Sequence, residues 1–283
     1  MNKIILSADS TCDLGDVLKE RYEVNIHPLH INLNDKLYND GIDITPDNIY
    51  DTYQKHLILP KTSAPNPIEY MDYFKKWTDD GYQVIHLNIG SGISSAYQNC
   101  CIAAKELGNV YPIDSGNLST GMGLLVIEAA ERIAQGMVAN QICQEVNKLK
   151  TKVHASFIVD NLTYLREGGR CSAVAALGAN LFNIKPSIEV DNSSGKMKVG
   201  RKYRGTLPRV LKHYTLDKLS NKTDLKDDRI FISHSGTSSE NINLIRETIE
   251  EISDFKEILV TRAGCTISSH CGPNTVGILY MSK

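Results

Sequence analysis

The amino-acid sequence predicts an α/β protein with two domains. In the first half, apolar strand-like runs alternate with helical patterns, which is typical of a mainly parallel sheet with helices on both faces. In the second half, the polar segment 191–195 separates two strand-like runs, and this pattern predicts a hairpin within a mixed α/β sheet. A length of 283 residues suits two domains, and we place their boundary after Lys150, giving domains of 1–150 and 151–283.

The first half begins with an apolar strand over residues 3–8. Asp13 is expected to cap a helix that continues to Tyr22, because an aspartate side chain can accept hydrogen bonds from the free N–H groups of a first turn. Residues 24–33 read as one extended stretch broken by Pro28, and Pro46 opens the next helix. The same alternation then predicts helices at 68–79, 95–107, 120–135 and 138–150, with strands at 83–88 and 110–113.

The second half is less regular. A short helix at 162–166 ends at the paired glycines Gly168 and Gly169, since glycine is common just beyond a helix end. The apolar runs predict strands at 155–159, 186–190, 197–203, 229–234, 257–261 and 276–281, with helices at 207–218 and 239–252.

Composition argues against several classes of function. The formal net charge of −2 and the isoelectric point near 6.4 provide no basic surface for nucleic acid. No apolar run reaches the roughly 18 residues that a membrane-spanning helix needs. The chain enters its first strand without a signal-peptide pattern, so we expect a soluble, cytoplasmic protein without integral membrane contact.

Cofactor and metal motifs are also missing from the sequence. The P-loop pattern and the dinucleotide-binding glycine pattern do not occur. The seven cysteines are odd in number and none has C-x-x-C spacing, so we expect neither a disulfide framework nor a zinc site. We do not expect His270 and Cys271 to form a catalytic pair, because adjacent residues rarely face each other. The expected ligand is therefore neither a cofactor nor a metal.

Five short segments rich in hydroxyl side chains, which we expect to be loops, are the best candidates for a binding site. Most of them follow strand-like runs, and in an open α/β sheet ligands bind at the carboxyl ends of the strands. Free N–H groups there favour an anionic head group, but the segments contain almost no lysine or arginine. A carboxylate held by neutral hydrogen bonds fits this pattern better than a polyphosphate. The segments are 7–11, 62–65, 91–95, 114–117 and 268–272.

An ordered set of motifs extends these segments over the whole chain. The set consists of D-S-x-x-D-L at 9–14, T-S-x-P at 62–65, S-x-x-S at 91–94, I-D-S at 113–115, Y-L-x-x-G-G-R at 164–170, N-I-K-P at 183–186, K-x-R-G at 202–205 and H-x-G-P-x-x-x-G at 270–277. Together the motifs resemble the DegV family, a group of fatty-acid-binding proteins that includes the carrier subunits of bacterial fatty acid kinase.

The resemblance implies one long-chain fatty acid buried inside the protein. It assigns the carboxylate to the hydroxyl groups of Thr62 and Ser94, with His270 near the same head group. It also implies that Arg170 and Arg204 lie at the rim and face a kinase partner. Burial of each methylene contributes about 0.8 kcal/mol, so the tail is expected to supply most of the affinity while the hydroxyl groups orient the carboxylate.

The sequence departs from the family pattern at one point. Ser95 and Ala96 stand where the family has Gly-Thr, directly after the binding serine. Both residues are small, so the tight turn is expected to survive, and Ser95 is counted among the carboxylate-binding residues. Loss of the threonine hydroxyl is expected to alter head-group contacts or lipid preference.

The function that the resemblance implies is a lipid carrier without catalytic activity of its own. The protein would present the carboxylate to a separate ATP-dependent, dihydroxyacetone-kinase-like fatty acid kinase subunit. That kinase would make an acyl phosphate for phospholipid synthesis. Apart from the fatty acid and the kinase, transient contact with a membrane surface is the other interaction considered, and no cofactor is expected.

Two alternatives remain open at this point. A hydrolase would use Ser94 as nucleophile, His270 as base and Asp9 or Asp114 as the orienting acid. The sequence lacks the G-x-S-x-G elbow of α/β-hydrolases, which argues against this alternative. The other alternative is a lipid sensor that acts through partner contacts without kinase chemistry. His234, which follows a strand in a similar polar setting, is left without a role.

Overall fold

The computed structural model describes residues 3–175, 184–220 and 222–283. These residues form a parallel sheet, a mixed sheet and a small antiparallel sheet. The strands are β1 (Ile4–Asp9), β2 (Asn25–His27), β3 (His30–Leu33), β4 (Lys36–Asn39), β5 (Lys61–Ser63), β6 (Gln83–Asn88), β7 (Val110–Asp114), β8 (Val153–Ile158), β9 (Ile184–Asp191), β10 (Lys196–Arg204), β11 (Leu225–His234), β12 (Glu257–Arg262) and β13 (Val276–Ser282).

The helices pack around these sheets. They are α1 (Asp16–Arg21), α2 (Pro46–His56), α3 (Pro67–Thr78), α4 (Ala96–Leu107), α5 (Ser119–Ala134), α6 (Ala139–Leu149), α7 (Thr163–Glu167), α8 (Ser172–Ala175), α9 (Leu207–Leu219), α10 (Ser239–Ile252) and α11 (Cys265–Cys271). Short 3-10 turns at Ser10–Cys12 and Lys150–Lys152 complete the described helical structure.

The first half contains a parallel sheet with strand order β2-β1-β6-β7, as its alternating pattern predicts. Residues 24–33 do not form one extended stretch, however. β2 joins the parallel sheet, whereas β3 pairs with β4 and β5 in a separate antiparallel sheet that the sequence did not indicate. Pro28 lies between the two strands, and a proline supplies no N–H group for continued pairing.

The prediction that Asp13 caps a helix is wrong. Asp13 follows the 3-10 turn Ser10–Cys12 in a left-handed conformation with φ 51°, and α1 begins later, at Asp16. Its buried carboxylate is used elsewhere, because it accepts hydrogen bonds from Ser119 Oγ at 2.5 Å and from the Gly264 amide at 2.8 Å. Asp13 thus links the first sheet to α5 and to the segment before α11.

The second half contains a mixed six-stranded sheet with order β10-β9-β8-β13-β11-β12. β9 and β10 form the predicted antiparallel hairpin, and β11 pairs with β12 in parallel and with β13 antiparallel. The two-domain α/β class is therefore confirmed. The parallel sheet ends at Asp114 and the mixed sheet begins at Val153, while the boundary at residue 150 stays a prediction.

Helix α5 lies between the two sheets. Its first eleven residues are all buried, which is unusual because a surface helix exposes one face to water. Its side chains join a hydrophobic core that includes Leu6 and Leu87 from the parallel sheet and Phe231 and Leu279 from the mixed sheet. The helix thus connects the two halves through one continuous apolar core.

Candidate functional site

A cavity of about 290 Å³ is lined by residues from both halves of the chain. Its apolar walls include Leu29, Ile89 and Leu118 from the first half and Phe157, Leu165 and Met197 from the second. The polar side chains that line it are Thr62, Ser63, Ser94, Ser95, Arg170, Thr266 and His270. The volume lies at the lower end of the range of about 300 to 1,000 Å³ that is usual for small-molecule pockets.

Thr62 lies on strand β5 rather than in a free loop. β5 pairs with β3, and Thr62 stands opposite Ile31 in this antiparallel register. The Thr62 Oγ1 atom and His270 Nε2 form a hydrogen bond of 2.8 Å. The small antiparallel sheet thereby fixes Thr62 against a helix that lies 208 residues further along the chain.

His270 is on helix α11, so the expectation of a loop at 268–272 is wrong. The first turn of this helix is stabilised by the buried Asp40 carboxylate, which accepts hydrogen bonds from the Cys265 amide at 2.7 Å and the Thr266 amide at 3.1 Å. The helix ends at Gly272, where φ is 70° and where a Cβ atom would lie 2.5 Å from the Tyr164 ring. Both observations require glycine there.

The imidazole of His270 is held in its neutral form. Burial, with a smaller effect of the nearby Arg170 cation, lowers its pKa to about 4. The Nδ1 atom is buried without a hydrogen-bond partner among the described residues and faces Gly168, where any side chain would collide with it. Only Nε2 makes a described hydrogen bond, and its partner is Thr62.

Ser94 and Ser95 lie in the loop between β6 and α4, beyond the carboxyl end of β6. Ser94 Oγ accepts a hydrogen bond from the Ala96 amide at 3.2 Å, and Ser95 is the residue before the first turn of α4. Ala96 is fully buried in an apolar cluster. The methyl group at position 96 therefore packs in the core, where the family's threonine would carry a hydroxyl.

Two strand-end carboxylates hold this loop in place. Asp9 accepts a hydrogen bond from the Ile89 amide at 2.8 Å. Asp114 accepts hydrogen bonds from both the amide and the hydroxyl of Ser91, at 3.0 and 2.6 Å. Both carboxylates thus position the loop that carries Ser94.

The hairpin between β9 and β10 packs against the same loop. A side chain at Gly92 would collide with the carbonyl oxygen of Ser194, so only glycine allows the two backbones to approach this closely. Asn117 Nδ2 also donates to Asn192 Oδ1 at 2.7 Å. The loop of the parallel sheet is therefore supported by a turn of the mixed sheet.

The two predicted arginines occupy different places. Arg170 is exposed, lines the cavity and donates through an NH group to the Gly168 carbonyl oxygen at 2.9 Å. Arg204 is exposed at the end of β10 and is not part of the cavity lining. His234 lies at the end of β11 beside a second, smaller cavity, and its Nδ1 accepts a hydrogen bond from the Gly236 amide.

The arrangement that a hydrolase would need is not seen in the described residues. His270 Nε2 is bonded to Thr62, and no hydrogen bond joins it to Ser94. Asp9 binds Tyr70, His86 and the Ile89 amide, and Asp114 binds Ser91 and the Gly116 amide, so neither orients His270. The described contacts therefore do not assemble the predicted set of Ser94, His270 and an orienting acid.

Several cavity residues were not predicted from the sequence. Thr266 lies one turn before His270 on α11, but this relation is visible only once the segment is known to be helical. Phe157, Leu118 and Met197 appear in the sequence as ordinary core residues, and an apolar side chain gives no signal that separates a cavity wall from a core. Asn183 of the N-I-K-P motif lies outside the described residues.

The described part of the chain has neither a cluster of metal-ligating residues nor a helix that could span a membrane. Residues 3–175, 184–220 and 222–283 contain no cluster of three or more histidine, cysteine or acidic residues suited to a metal ion. Within the same ranges, every helix is too short or too polar to cross a bilayer.

The fold and the cavity define a two-domain α/β protein with a mostly apolar cavity lined by residues of both halves. Residues 3–283 match the family described as "Uncharacterised protein, DegV family". A DegV domain-containing protein of Clostridium acetobutylicum is 30% identical over 285 residues, covering 100% of both chains. The chain belongs to the DegV family, which confirms the resemblance noted in the sequence.

Solved structures of relatives have the same fold. The structure of a DegV family protein from Thermus thermophilus, described by its fatty acid binding, aligns with a TM-score of 0.89 at 27% identity and covers 99% of this chain and 100% of its own. A stearic acid-binding protein from Eubacterium ventriosum aligns with a TM-score of 0.82 at 25% identity, covering 100% of this chain and 99% of its own. DegV relatives therefore bind fatty acids in crystal structures.

Proposed function

We propose that this protein binds one long-chain fatty acid in the cavity, with the carboxylate at Thr62 and Ser94. The observation that carries the proposal is one cavity that is lined by these two hydroxyl groups and His270 together with apolar side chains from both halves of the chain. Fatty acid binding by relatives that share the fold over nearly the whole chain supports it. The apolar walls match a hydrocarbon tail, since each buried methylene contributes about 0.8 kcal/mol.

The hydrogen bond between Thr62 and His270 explains how a hydroxyl can bind an anion. We propose the neutral tautomer of His270 that carries its proton on Nε2, which would donate to Thr62 Oγ1 across the 2.8 Å contact. The hydroxyl hydrogen of Thr62 is then free to donate to a carboxylate oxygen. Because His270 is uncharged at neutral pH, the head group is bound by neutral donors with Arg170 at the cavity surface.

Replacement of the two hydroxyls tests this assignment. We expect Thr62→Val and Ser94→Ala each to weaken palmitic acid binding by about 10- to 100-fold, because a hydrogen bond to a charged group is worth roughly 1.5 to 3 kcal/mol. Binding of hexadecanol, which has the same tail without the carboxylate, should change far less. Isothermal titration or native mass spectrometry measures both affinities.

Thr52→Val is the matched control for these variants. Thr52 lies on α2 outside the cavity, and its hydroxyl bonds only the Asn48 carbonyl oxygen in the described structure. Its replacement should leave both affinities unchanged. Equal losses for the acid and the alcohol in Thr62→Val would contradict the placement of the carboxylate.

We further propose that the bound carboxylate is presented to a separate ATP-dependent fatty acid kinase subunit that forms an acyl phosphate for phospholipid synthesis. The exposed Arg170 at the cavity supports this, since a guanidinium suits the recognition of a phosphoryl group. Arg204 is proposed to contribute to the same partner surface. On this proposal the protein itself is a carrier and not a catalyst.

Arg170→Ala separates presentation from lipid binding. We expect it to reduce the rate of acyl phosphate formation by a fatty acid kinase subunit about tenfold or more, while palmitic acid affinity stays within about twofold. Arg166→Ala is the control, because Arg166 is also exposed and pairs with Glu167 but does not line the cavity. If Arg170→Ala lowers lipid affinity as much as it lowers phosphorylation, the division of roles is wrong.

A further inference from the structure

A second, smaller cavity lies beside the ligand cavity. Its volume is about 30 Å³, and it shares Leu118, Phe157, Ile267 and Cys271 with the lining of the ligand cavity. Leu118, Phe157 and Cys271 are buried, so these side chains form a partition inside the protein rather than a surface rim.

Short side chains line much of the second cavity around Phe157. Phe157 on β8 stands opposite Gly277 on β13. A Cβ atom at position 277 would lie 3.0 Å from the Ser156 carbonyl oxygen and 3.3 Å from Phe157 Cβ, so glycine lets β8 and β13 pack closely at this position. Ala155 and Ala263 add two further short side chains to the walls.

The second cavity is effectively apolar although hydroxyl groups line it. All four hydroxyl side chains are already bonded within the protein, through the pairs Ser119–Asp13, Ser233–Thr120, Ser235–Gly272 and Thr275–Cys271. His234 is bonded as well, through Nδ1 to the Gly236 amide. A buried water needs about two to four hydrogen-bond partners, so this space suits a hydrocarbon end better than water.

We propose that the second cavity is the subsite for the terminal methyl end of the acyl chain and that Phe157 limits the longest chain accepted. This inference rests on the proposed fatty acid binding and adds a length limit to it. A tail that fills the ligand cavity meets the partition at Phe157. A smaller side chain there joins the two spaces and admits a longer chain.

The test compares relative affinities for myristic, palmitic, stearic and arachidic acids by competition in native mass spectrometry of the full-length protein. Phe157→Leu should raise the ratio of arachidic to myristic acid affinity by about tenfold or more, since one methylene in an apolar pocket is worth roughly 10- to 200-fold in discrimination. Ala263→Val, which narrows the second cavity alone, should lower the same ratio.

Met197→Ala is the matched control, because Met197 lines the ligand cavity but not the second cavity. It should change the affinity for all four acids by a similar factor. An unchanged length profile in both Phe157→Leu and Ala263→Val, with binding retained, overturns the length limit while leaving the proposed function standing. Absence of binding of every acid by the unmodified protein would instead overturn the proposed function itself.

Discussion

Individual carboxylates, of which Asp9 and Asp40 are buried, organise the region around the cavity. Asp9, Asp40 and Asp114 each accept hydrogen bonds from backbone amides, and in this way fix the Ser94 loop and the first turn of α11. Asp13 differs because burial raises its pKa from 3.8 to about 8, despite hydrogen bonds from Ser119 and Gly264. A nearby carboxylate, that of Asp40, adds to this effect.

The raised pKa of Asp13 predicts that stability falls as pH rises. The folded state holds the proton up to about pH 8 whereas the unfolded chain releases it near pH 3.8, so the stabilisation is complete below pH 3.8 and is lost through this interval. Asp13→Asn, which stays neutral and suits the left-handed backbone, should remove the dependence. Between pH 5 and 8, the free energy of unfolding of the unmodified protein should fall by on the order of 1 kcal/mol per pH unit relative to that of Asp13→Asn. Urea unfolding measures both values.

Asp16→Asn controls for the loss of a carboxylate. Asp16 is exposed and its pKa is lowered by Lys19, so it stays charged over the same pH interval. Its replacement should therefore leave the slope of stability against pH unchanged. Parallel pH curves for Asp13→Asn and the unmodified protein would show that Asp13 does not carry the effect.

At the scale of helices and strands, elements with a regular apolar period could be predicted, whereas elements that depend on distant contacts could not. The alternation of strand and helix from 83 to 149 follows from apolar spacing alone, and the structure has these elements within a residue or two. Helix α11 could not be predicted, because its seven residues contain three hydroxyl side chains, and such residues have little preference for helix interiors. It forms because Asp40, 225 residues earlier, binds its first amides.

The candidate site could likewise be predicted only in part, because its contacts join segments that are distant in the sequence. The motifs at 62–65, 91–94 and 270–277 indicate which hydroxyl groups and which histidine to consider, and these residues line one cavity. The hydrogen bond between Thr62 and His270 depends on how α11 packs against β5, and no local pattern records that contact. Cavity walls such as Phe157 are likewise defined by the pairing of distant strands, since Phe157 on β8 stands opposite Gly277 on β13.

At the scale of the whole molecule, an ion-pair cluster reinforces the apolar contact of α5 with the mixed sheet. Glu128 on α5 is only 3% exposed and binds Lys226 Nζ at 2.5 Å and Arg132 at 2.9 Å. Lys226 is on β11, so this carboxylate joins the two halves of the chain. Arg229 on the same strand pairs with Glu131 on the helix.

Glu128→Gln should destabilise the protein by about 1 to 3 kcal/mol, because it removes a buried negative charge that forms ion pairs with Arg132 and Lys226. Glu145→Gln is the control, since Glu145 binds the same Arg132 at 2.7 Å but is 45% exposed, and exposed pairs contribute about 0 to 1 kcal/mol. Urea unfolding measures both effects. Equal losses for the two variants would show that burial at Glu128 does not matter.

The ligand cavity has walls from both halves of the chain. Under the proposed function, a bound acyl chain therefore contacts both halves and stabilises their association. Ligand binding to the folded state alone raises the free energy of unfolding with the logarithm of the free ligand concentration. The resistance of the protein to cellular proteases would then increase with the concentration of free fatty acid. Unliganded protein would then be degraded faster than liganded protein, because proteolysis acts on the unfolded form.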